Sequence, residues 1–477
     1  MRSIFTQIRL FSNVCPKQAA IILPDRIVTY EMLWAGIQSV QIKLAKLALN
    51  KAEPIGLLVD NPVRHLIVCL ALVRSGFTVA SLSVEHLGLT KSFNIRHVMT
   101  DLKNLSLASG AQYHDVEDDW FANKLTITLD EIEPPPHRIM RITFTSGSTG
   151  FPKAIGWSYR TIHRRMNDYS LSGVADSNRF LTTMGLSSGG LLLALKVINS
   201  GKTIIFAPQQ FALELIQQYG VNEVHASSLQ ARLFLEDHHV KRIPLHLTKF
   251  IVTGGILSTT VADELKHRFR AEVIDILIST EAGQTGFASG DILELRRSAG
   301  HCFVPLVNVE IVDAAGNRLP PNEEGRLKIQ SHMMGWSFEG NLDEEKITNG
   351  GWFFPGDTGF LNDRGLLVLT GRADDTVNLG GVKFAPERIE AHLAEHPHII
   401  EAAVVRITNM SAETELWLAV VERNPLRLEE VNQWLAGRLV GELRSARIDR
   451  KVSLPDLPKN SMGKFNRPKI LELCSRQ

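Results

Sequence analysis

Cysteine is scarce in this chain: Cys15, Cys69, Cys302 and Cys474 are the only four in 477 residues, none in a CxxC pair and none beside paired histidines. That leaves no framework for disulfides or a zinc site and predicts a reduced, metal-free interior. Excess charge of either sign is absent too, with 52 Lys+Arg against 51 Asp+Glu and a formal net charge of +1. No basic surplus exists to neutralise a nucleic-acid backbone, so no nucleic-acid partner is expected. Long apolar runs are missing as well. The longest, from His65 to Val84, is broken by Arg74 and by Ser75-Gly76, and it predicts helix, turn and strand rather than a membrane span. Acids are missing before Asp25 while Arg2, Arg9 and Lys17 are present, a bias shared with transit peptides. Ile4, Phe5, Ile8 and Phe11, however, form a helical stripe suited to packing on a core. A cytoplasmic location is the expectation. Neither internal repeats nor low-complexity tracts occur.

What is present is a globular composition, 44% hydrophobic and 22% charged, in a chain long enough for about three units of ~150 residues. From Val28 to Val84 helical patterns alternate with short β-branched runs: TYEMLWAGIQSVQIKLAKLAL, PIGLLVD, VRHLIVCLALVRSGF and TVASLSV. The alternation returns in GKTIIFAP, FALELIQQYGVNEVHAS, LTKFIVTGGILS and HRFRAEVIDILISTEAGQTG, the last read as helix, strand and loop. Such alternation predicts an α/β fold with parallel, helix-covered sheets. Two predicted strand ends, at Gly254-Gly255 and after Ile278, lie where α/β folds gather ligands. Past Leu293 short strands joined by AAGN and PPNEEG turns suggest a small antiparallel, barrel-like unit. Beyond Gly371 a compact α+β tail is predicted, with helix PERIEAHLAEHP, strands IIEAAVVRI and LWLAVVE, helix LEEVNQWLAGRLV and a basic terminal loop.

The most informative stretch is TSGSTGFPK, Thr145 to Lys153. Gly147 and Gly150 let the backbone come close to a polyanion and turn N–H groups toward it. Thr145, Ser146, Ser148 and Thr149 add hydroxyl donors, and Lys153 adds a mobile positive charge. The preceding Arg141 to Phe144 reads as a strand, which puts the loop at a strand's carboxyl end. It is not a Walker loop, which needs G-x-x-x-x-G-K followed by Ser or Thr. Here Phe151 and Pro152 separate Gly150 from Lys153, and Ala154 stands where a metal-binding hydroxyl would be.

The order TSGSTG-x-PK resembles the phosphate loop of the adenylate-forming superfamily, which includes acyl-CoA synthetases. Two further motifs carry the resemblance. Gly351 to Glu390, GWFFPGDTGFLNDRGLLVLTGRADDTVNLGGVKFAPERIE, is similar to the superfamily's ribose-binding and hinge segment, and LPKNSMGKFNR, Leu457 to Arg467, to its last signature. Three ordered motifs over most of the chain identify it as a member of that superfamily. The implied domains are 1–373, binding AMP, and a mobile 374–477.

The resemblance implies ATP-dependent activation of a small carboxylic acid to acyl-AMP, with Mg²⁺, followed by capture on the thiol of coenzyme A. Lys464 matches the catalytic lysine. The 145–150 loop and Lys153 would hold the leaving phosphates, Asp357 would accept hydrogen bonds from the ribose hydroxyls, and Arg372 would reach the same sugar. Thr280 would bond the α-phosphate and Glu281 would hold Mg²⁺. Asp374 matches the hinge, about which the tail would turn between half-reactions. Gly380 and Gly381 would line a thiol channel, and Lys383 is either a thiol-positioning group or a solvated charge.

The sequence departs from the pattern in three places. Leu277 and Ile278 replace an aromatic and a glycine, so the ring that usually stacks on adenine is missing. Ser187 or Ser188 occupies the place of a pocket-closing histidine, and Ala154 replaces a glycine. The leading expectation is an acyl-CoA synthetase. The alternatives are a ligase that loads the phosphopantetheine thiol of an acyl carrier protein, and a nucleotide- or acyl-binding relative without chemistry.

Overall fold

The computed structural model describes the chain outside residues 1–2, 104–109, 122–133, 146–152, 169–177, 187–188, 237–245, 255–256, 258, 289–300, 338–350, 373–376, 380–381, 385, 409–413, 440–445, 460–464 and 477. It divides into two compact units. One comprises Met1–Thr253, Glu264–Thr285 and Gln330–Phe353, the other Gly254–Asp263, Gly286–Ile329 and Phe354–Gln477.

In the first unit, helix α1 (Ile4–Val14) is capped by the Ser3 hydroxyl, which accepts from the Phe5 amide at 3.3 Å, and it buries Ile4, Phe5 and Ile8 as its stripe requires. Strands β1 (Ala19–Ile22) and β2 (Ile27–Thr29) lead into α2 (Tyr30–Ala45). Next come β3 (Ile55–Leu58), α3 (Pro62–Arg74), β4 (Val79–Ser81), β5 (His97–Thr100), β6 (Gln112–Asp115), β7 (Ile139–Thr145) and β8 (Lys153–Ser158). These strands form a sheet ordered β8-β7-β4-β3-β5-β6, parallel except for β8. Helix α3 starts where Pro62 needs no amide partner and the Asn61 side chain accepts from the Val63 and Arg64 amides, both at 3.1 Å. It is buried around nearly its whole circumference, as suits an apolar helix covered on all sides.

After α4 (Tyr159–Asp168) the chain builds a second sheet from β9 (Arg179–Thr182), β10 (Thr203–Phe206), β11 (Glu223–Ser227), β12 (Lys249–Thr253), β13 (Glu272–Ser279) and β14 (Gly283–Ala288), with helices α5 (Gly190–Asn199), α6 (Gln209–Tyr219), α7 (Ser228–Glu236) and α8 (Thr259–Phe269) interspersed. Its order runs β14-β13-β12-β11-β9-β10-β1-β2, parallel from β13 to β1. Helix α3 packs on β3 and β4, α2 on α3, α1 on α2, and α5 on both α1 and β10. The two sheets therefore share one apolar core, reaching from Ile55 and Val79 to Ile21 and Ile204. Strand β10 is buried at every residue, which explains its unbroken TIIF.

The second unit holds β15 (Cys302–Phe303), β16 (Val307–Val312) and β17 (Gly325–Ser331). Strand β18 (Trp336–Ser337) returns to the first unit and pairs antiparallel with β8. Strands β19 (Asp357–Leu361) and β20 (Leu367–Arg372) complete a sheet ordered β16-β17-β19-β20, with β17, β19 and β20 antiparallel. The tail follows with the hairpin β21 (Val377–Leu379) and β22 (Val382–Phe384), α9 (Glu387–Leu393), β23 (Ile399–Thr408), β24 (Thr414–Glu422), α10 (Leu428–Ala436), β25 (Arg450–Ser453) and α11 (Arg467–Ser475). Alternate residues of β23 and β24 serve two cores. Val404, Leu416 and Leu418 meet α9 and α10, while Val405, Ala419 and Val452 meet α11.

The α/β fold, the antiparallel unit and the α+β tail agree with the sequence-based expectations. Two local readings are corrected. GQTGFA is strand β14, not loop, and the basic terminal stretch holds strand β25 and helix α11, whose start is fixed by Asn466 capping and Pro468. Among the described residues no helix is long and apolar enough to cross a membrane.

Candidate functional site

Each unit carries part of the predicted machinery. In the first, Thr145 ends β7 and is the register partner of Lys153, which opens β8 exposed to solvent. The two flanks of the TSGSTGFPK stretch are thus cross-strand neighbours at the carboxyl edge of a parallel sheet, the edge where α/β folds bind ligands. Ser146, Gly147, Ser148, Thr149 and Gly150 lie outside the described residues.

Thr280 and Glu281 occupy the turn between β13 and β14, both half-buried. Their carbonyls are held from three directions. Trp157 Nε1 donates to the Thr280 oxygen at 3.1 Å, and Arg165 Nη2 and the Gly335 amide donate to the Glu281 oxygen at 2.8 and 2.7 Å. The Ala282 amide donates to Ser279 Oγ at 2.9 Å, which closes the turn. Gly283 then takes φ +76°, where a Cβ would stand 3.1 Å from Met333 Cβ and 3.3 Å from Arg165 Nε.

Behind this turn, two buried guanidinium groups stack on the Trp157 ring, Arg165 with Cζ 4.4 Å and Arg141 with Cζ 5.0 Å from its centroid. Arg165 also donates through Nε and Nη2 to the Met333 carbonyl at 3.0 and 2.8 Å. Arg141 donates to Ser81 Oγ and to the Leu186 carbonyl, both at 2.9 Å. Burial pushes the Arg141 guanidinium down to about 10, still cationic at neutral pH. Helix α4 presents Thr161, Arg164 and Arg165 at helical spacing toward residues 332–334, where they donate to the Met334, His332 and Met333 carbonyls.

In the second unit, Asp357 opens β19 and Arg372 closes β20, and the two are direct register partners. Residues fifteen apart in sequence therefore stand side by side, with Asp357 half-buried. Gly254 has φ +85°, a conformation that favours glycine; Gly255 lies outside the described residues, as does Asp374. Leu379 pairs with Val382 and Asn378 with Lys383. Gly380 and Gly381, the two residues joining those strands, are outside the described set.

Lys464 is also outside it, but the feet of its segment are fixed. Lys459 bridges Phe465, and the Asn466 amide donates to the Pro458 carbonyl at 2.8 Å. Arg467, three residues on, anchors the segment to α9 and β23. Its Nη1 donates to Glu390 Oε1 at 2.7 Å and to the Val404 carbonyl at 2.8 Å, and its Nη2 to Glu387 Oε1 at 2.6 Å.

Trp157, Arg165, Gly335 and the Arg467–Glu390–Glu387 cluster were not singled out from the sequence. The arginine of the last signature and the glutamate ending GGVKFAPERIE were visible as motif letters. Only the fold shows that they bond each other.

Among the described residues no group of three or more His, Cys, Asp or Glu side chains is placed to hold a metal. Glu281 offers one half-buried carboxylate at a strand-end turn. That donor set suits Mg²⁺ arriving with a nucleotide, since the ion takes one or two carboxylates and completes its shell with phosphate oxygens and water.

A phosphate-loop sequence at the carboxyl edge of a parallel sheet, followed by an antiparallel unit and a small α+β tail, defines the architecture of adenylate-forming enzymes. The family model described as AMP-binding enzyme matches residues 10–336, and the chain belongs to that family. It is similar to a 2-succinylbenzoate–CoA ligase of Bacillus licheniformis, 24% identical over 476 residues that cover 96% of this chain and 98% of the relative. A 4-chlorobenzoate–CoA ligase of Arthrobacter is 23% identical over 513 residues, covering 99% and 95%. The fold matches that of O-succinylbenzoate coenzyme A synthetase from Bacillus subtilis in complex with ATP and magnesium ion, with a TM-score of 0.85 at 20% identity, covering 98% of this chain and 99% of that one.

Proposed function

We propose that the protein is an AMP-forming acid–thiol ligase that joins a small carboxylic acid to coenzyme A at the expense of ATP. The observation that carries this reading is end-to-end correspondence: two CoA ligases cover 96% and 99% of the chain, which leaves room for every part a two-step ligase needs. A carboxylate is a poor electrophile, so its oxygen must first become a leaving group. The acid oxygen attacks the α-phosphorus of ATP, an O–P bond forms, the bond to the β-phosphate oxygen breaks, and pyrophosphate departs. The thiol then attacks the acyl carbon, and AMP leaves with the bonding pair.

In this scheme Lys464 places an ammonium beside the acid oxygen and the α-phosphate, where charge builds. Thr280 donates to the same phosphate. The 145–150 loop and Lys153 receive the nucleotide's phosphates, and Gly254 and Gly255 belong to the nucleotide-binding set. Asp357 accepts from the ribose hydroxyls with Arg372 beside it. Mg²⁺, when bound at Glu281, would neutralise phosphate charge. The chain acts as modules 1–373 and 374–477, the second turning about Asp374, so that Lys464 serves acyl-AMP formation and Gly380, Gly381 and Lys383 serve the thiol step. A cytoplasmic location fits the requirement for ATP and coenzyme A. A second reading, with the phosphopantetheine arm of an acyl carrier protein as acceptor, uses the same residues because the thiol is the same.

Acid-dependent exchange of labelled pyrophosphate into ATP tests the first step across aliphatic, aromatic and amino acids, with 2-succinylbenzoate and 4-chlorobenzoate in the panel. Exchange with at least one acid is expected. No exchange with any of them would favour a binder without chemistry. Thioester formation with free coenzyme A against a holo carrier protein then separates the two acceptors.

A further inference from the structure

We propose that Trp157 and Arg165 are positioning residues for the Thr280–Glu281 turn, fixing it through two successive backbone carbonyls so that the Thr280 hydroxyl and the Glu281 carboxylate hold one setting relative to the phosphate loop. This rests on the roles given above to Thr280 and Glu281. The geometry is specific in four respects.

The donors are rigid. The indole N–H reaches Thr280 and one guanidinium nitrogen reaches Glu281, while the same guanidinium forks onto the Met333 carbonyl. They are also dry: Arg165 is 1% and Trp157 3% exposed. Taking a guanidinium out of water costs several kcal/mol, and where only bulk is needed an apolar side chain fills the space without that penalty.

The surroundings are cut to fit. A Cβ on Gly335 would stand 2.9 Å from Trp157 Cδ1, and one on Gly283 3.3 Å from Arg165 Nε. Finally, Trp157 lies on β8, the strand that Lys153 opens, so one short strand joins the exit of the phosphate loop to the Thr280 carbonyl. Arg141, stacked on the same indole and bonded to the Leu186 carbonyl, extends the frame to the segment preceding Ser187.

A role confined to folding would change stability without changing how Mg²⁺ affects nucleotide binding. The test therefore measures ATP affinity by calorimetry in saturating MgCl₂ and in EDTA, for wild type and for Trp157→Phe, Arg165→Lys and Glu281→Gln, with thermal melting alongside. Trp157→Phe keeps a smaller aromatic ring and removes the indole N–H; Arg165→Lys keeps the charge and removes the fork. Both are expected to lose roughly tenfold of the Mg²⁺-dependent gain, as outer-shell partners of metal sites do, with a smaller loss in EDTA through the displaced Thr280 hydroxyl. Glu281→Gln should lose the gain as well.

If Glu281→Gln loses it while Trp157→Phe and Arg165→Lys retain it in full, the positioning role is overturned and the ligase reading stands. If Glu281→Gln itself retains it, the assignment of Glu281 fails, and the inference with it. Should Arg165→Lys fail to fold, Trp157→Phe decides the matter alone.

Discussion

Asp357 is the residue whose proposed role can be weighed most directly, because a carboxylate holding two ribose hydroxyls would make charge-assisted hydrogen bonds of about 1.5–3 kcal/mol each. Asp357→Asn is expected to weaken ATP and AMP binding by roughly 10- to 100-fold in calorimetry, with the melting temperature little changed. An unchanged affinity would remove Asp357 from the nucleotide site. Lys464→Ala is expected to bind ATP nearly normally yet lower pyrophosphate exchange by about 10²–10³-fold, the usual cost of removing one group aimed at developing charge. At this scale the sequence was readable where chemistry is spelled by motif letters and silent where it depends on burial. Arg165 sits in YRTIHRRMND, a helix of low apolar content that reads as solvated surface. Its burial against Trp157 comes from residues 281 and 333, more than a hundred positions away.

Among the elements, the β19–β20 ladder shows how closely backbone approach is specified. Gly359 lies opposite Leu369, and a Cβ on it would run into the Val368 carbonyl oxygen, beside a register shift between Thr358 and Gly359. Gly359→Ala is expected to destabilise the protein by roughly 1–3 kcal/mol in chemical denaturation. Because the same ladder pairs Asp357 with Arg372, nucleotide affinity should fall too. Wild-type stability in that variant would mean that the ladder yields more than its geometry allows. Strands β3, β4 and β10 were legible because apolar runs bounded by turn residues leave little choice. Strand β14 was not, since GQTGFA carries two glycines and no apolar run, and its place between β13 and β15 is not spelled in its letters. Helix α11 was hidden by its basic start, although Asn466 and Pro468 are ordinary helix-opening signals.

For the molecule as a whole, the core between the sheets holds a histidine that links stability to pH. His65 is buried, its Nδ1–H donates to the Val59 carbonyl at 3.0 Å, and Nε2 has no hydrogen-bond partner among the described residues. Burial, countered in part by that bond, lowers its pKa from 6.5 to about 4. The unfolded chain therefore takes up a proton below about pH 6.5 that the folded chain refuses until about pH 4. This contribution to stability is complete above pH 6.5 and falls as the pH drops through that window, by up to about 3 kcal/mol. His65→Asn, which keeps a donor and cannot titrate, should lose about 2 kcal/mol less than wild type between pH 7.5 and pH 5, measured by urea unfolding. An equal loss in both would place the acid sensitivity elsewhere.

The central claim, that an organic acid is captured by the α-phosphorus of ATP, is tested most directly by following oxygen. With a carboxylic acid that supports turnover, labelled with ¹⁸O in its carboxyl group, plus ATP, Mg²⁺ and coenzyme A, mass spectrometry of the products should find one ¹⁸O atom in AMP and unlabelled pyrophosphate. Label in inorganic phosphate with ADP as the nucleotide product, or AMP free of label while thioester accumulates, would contradict the account.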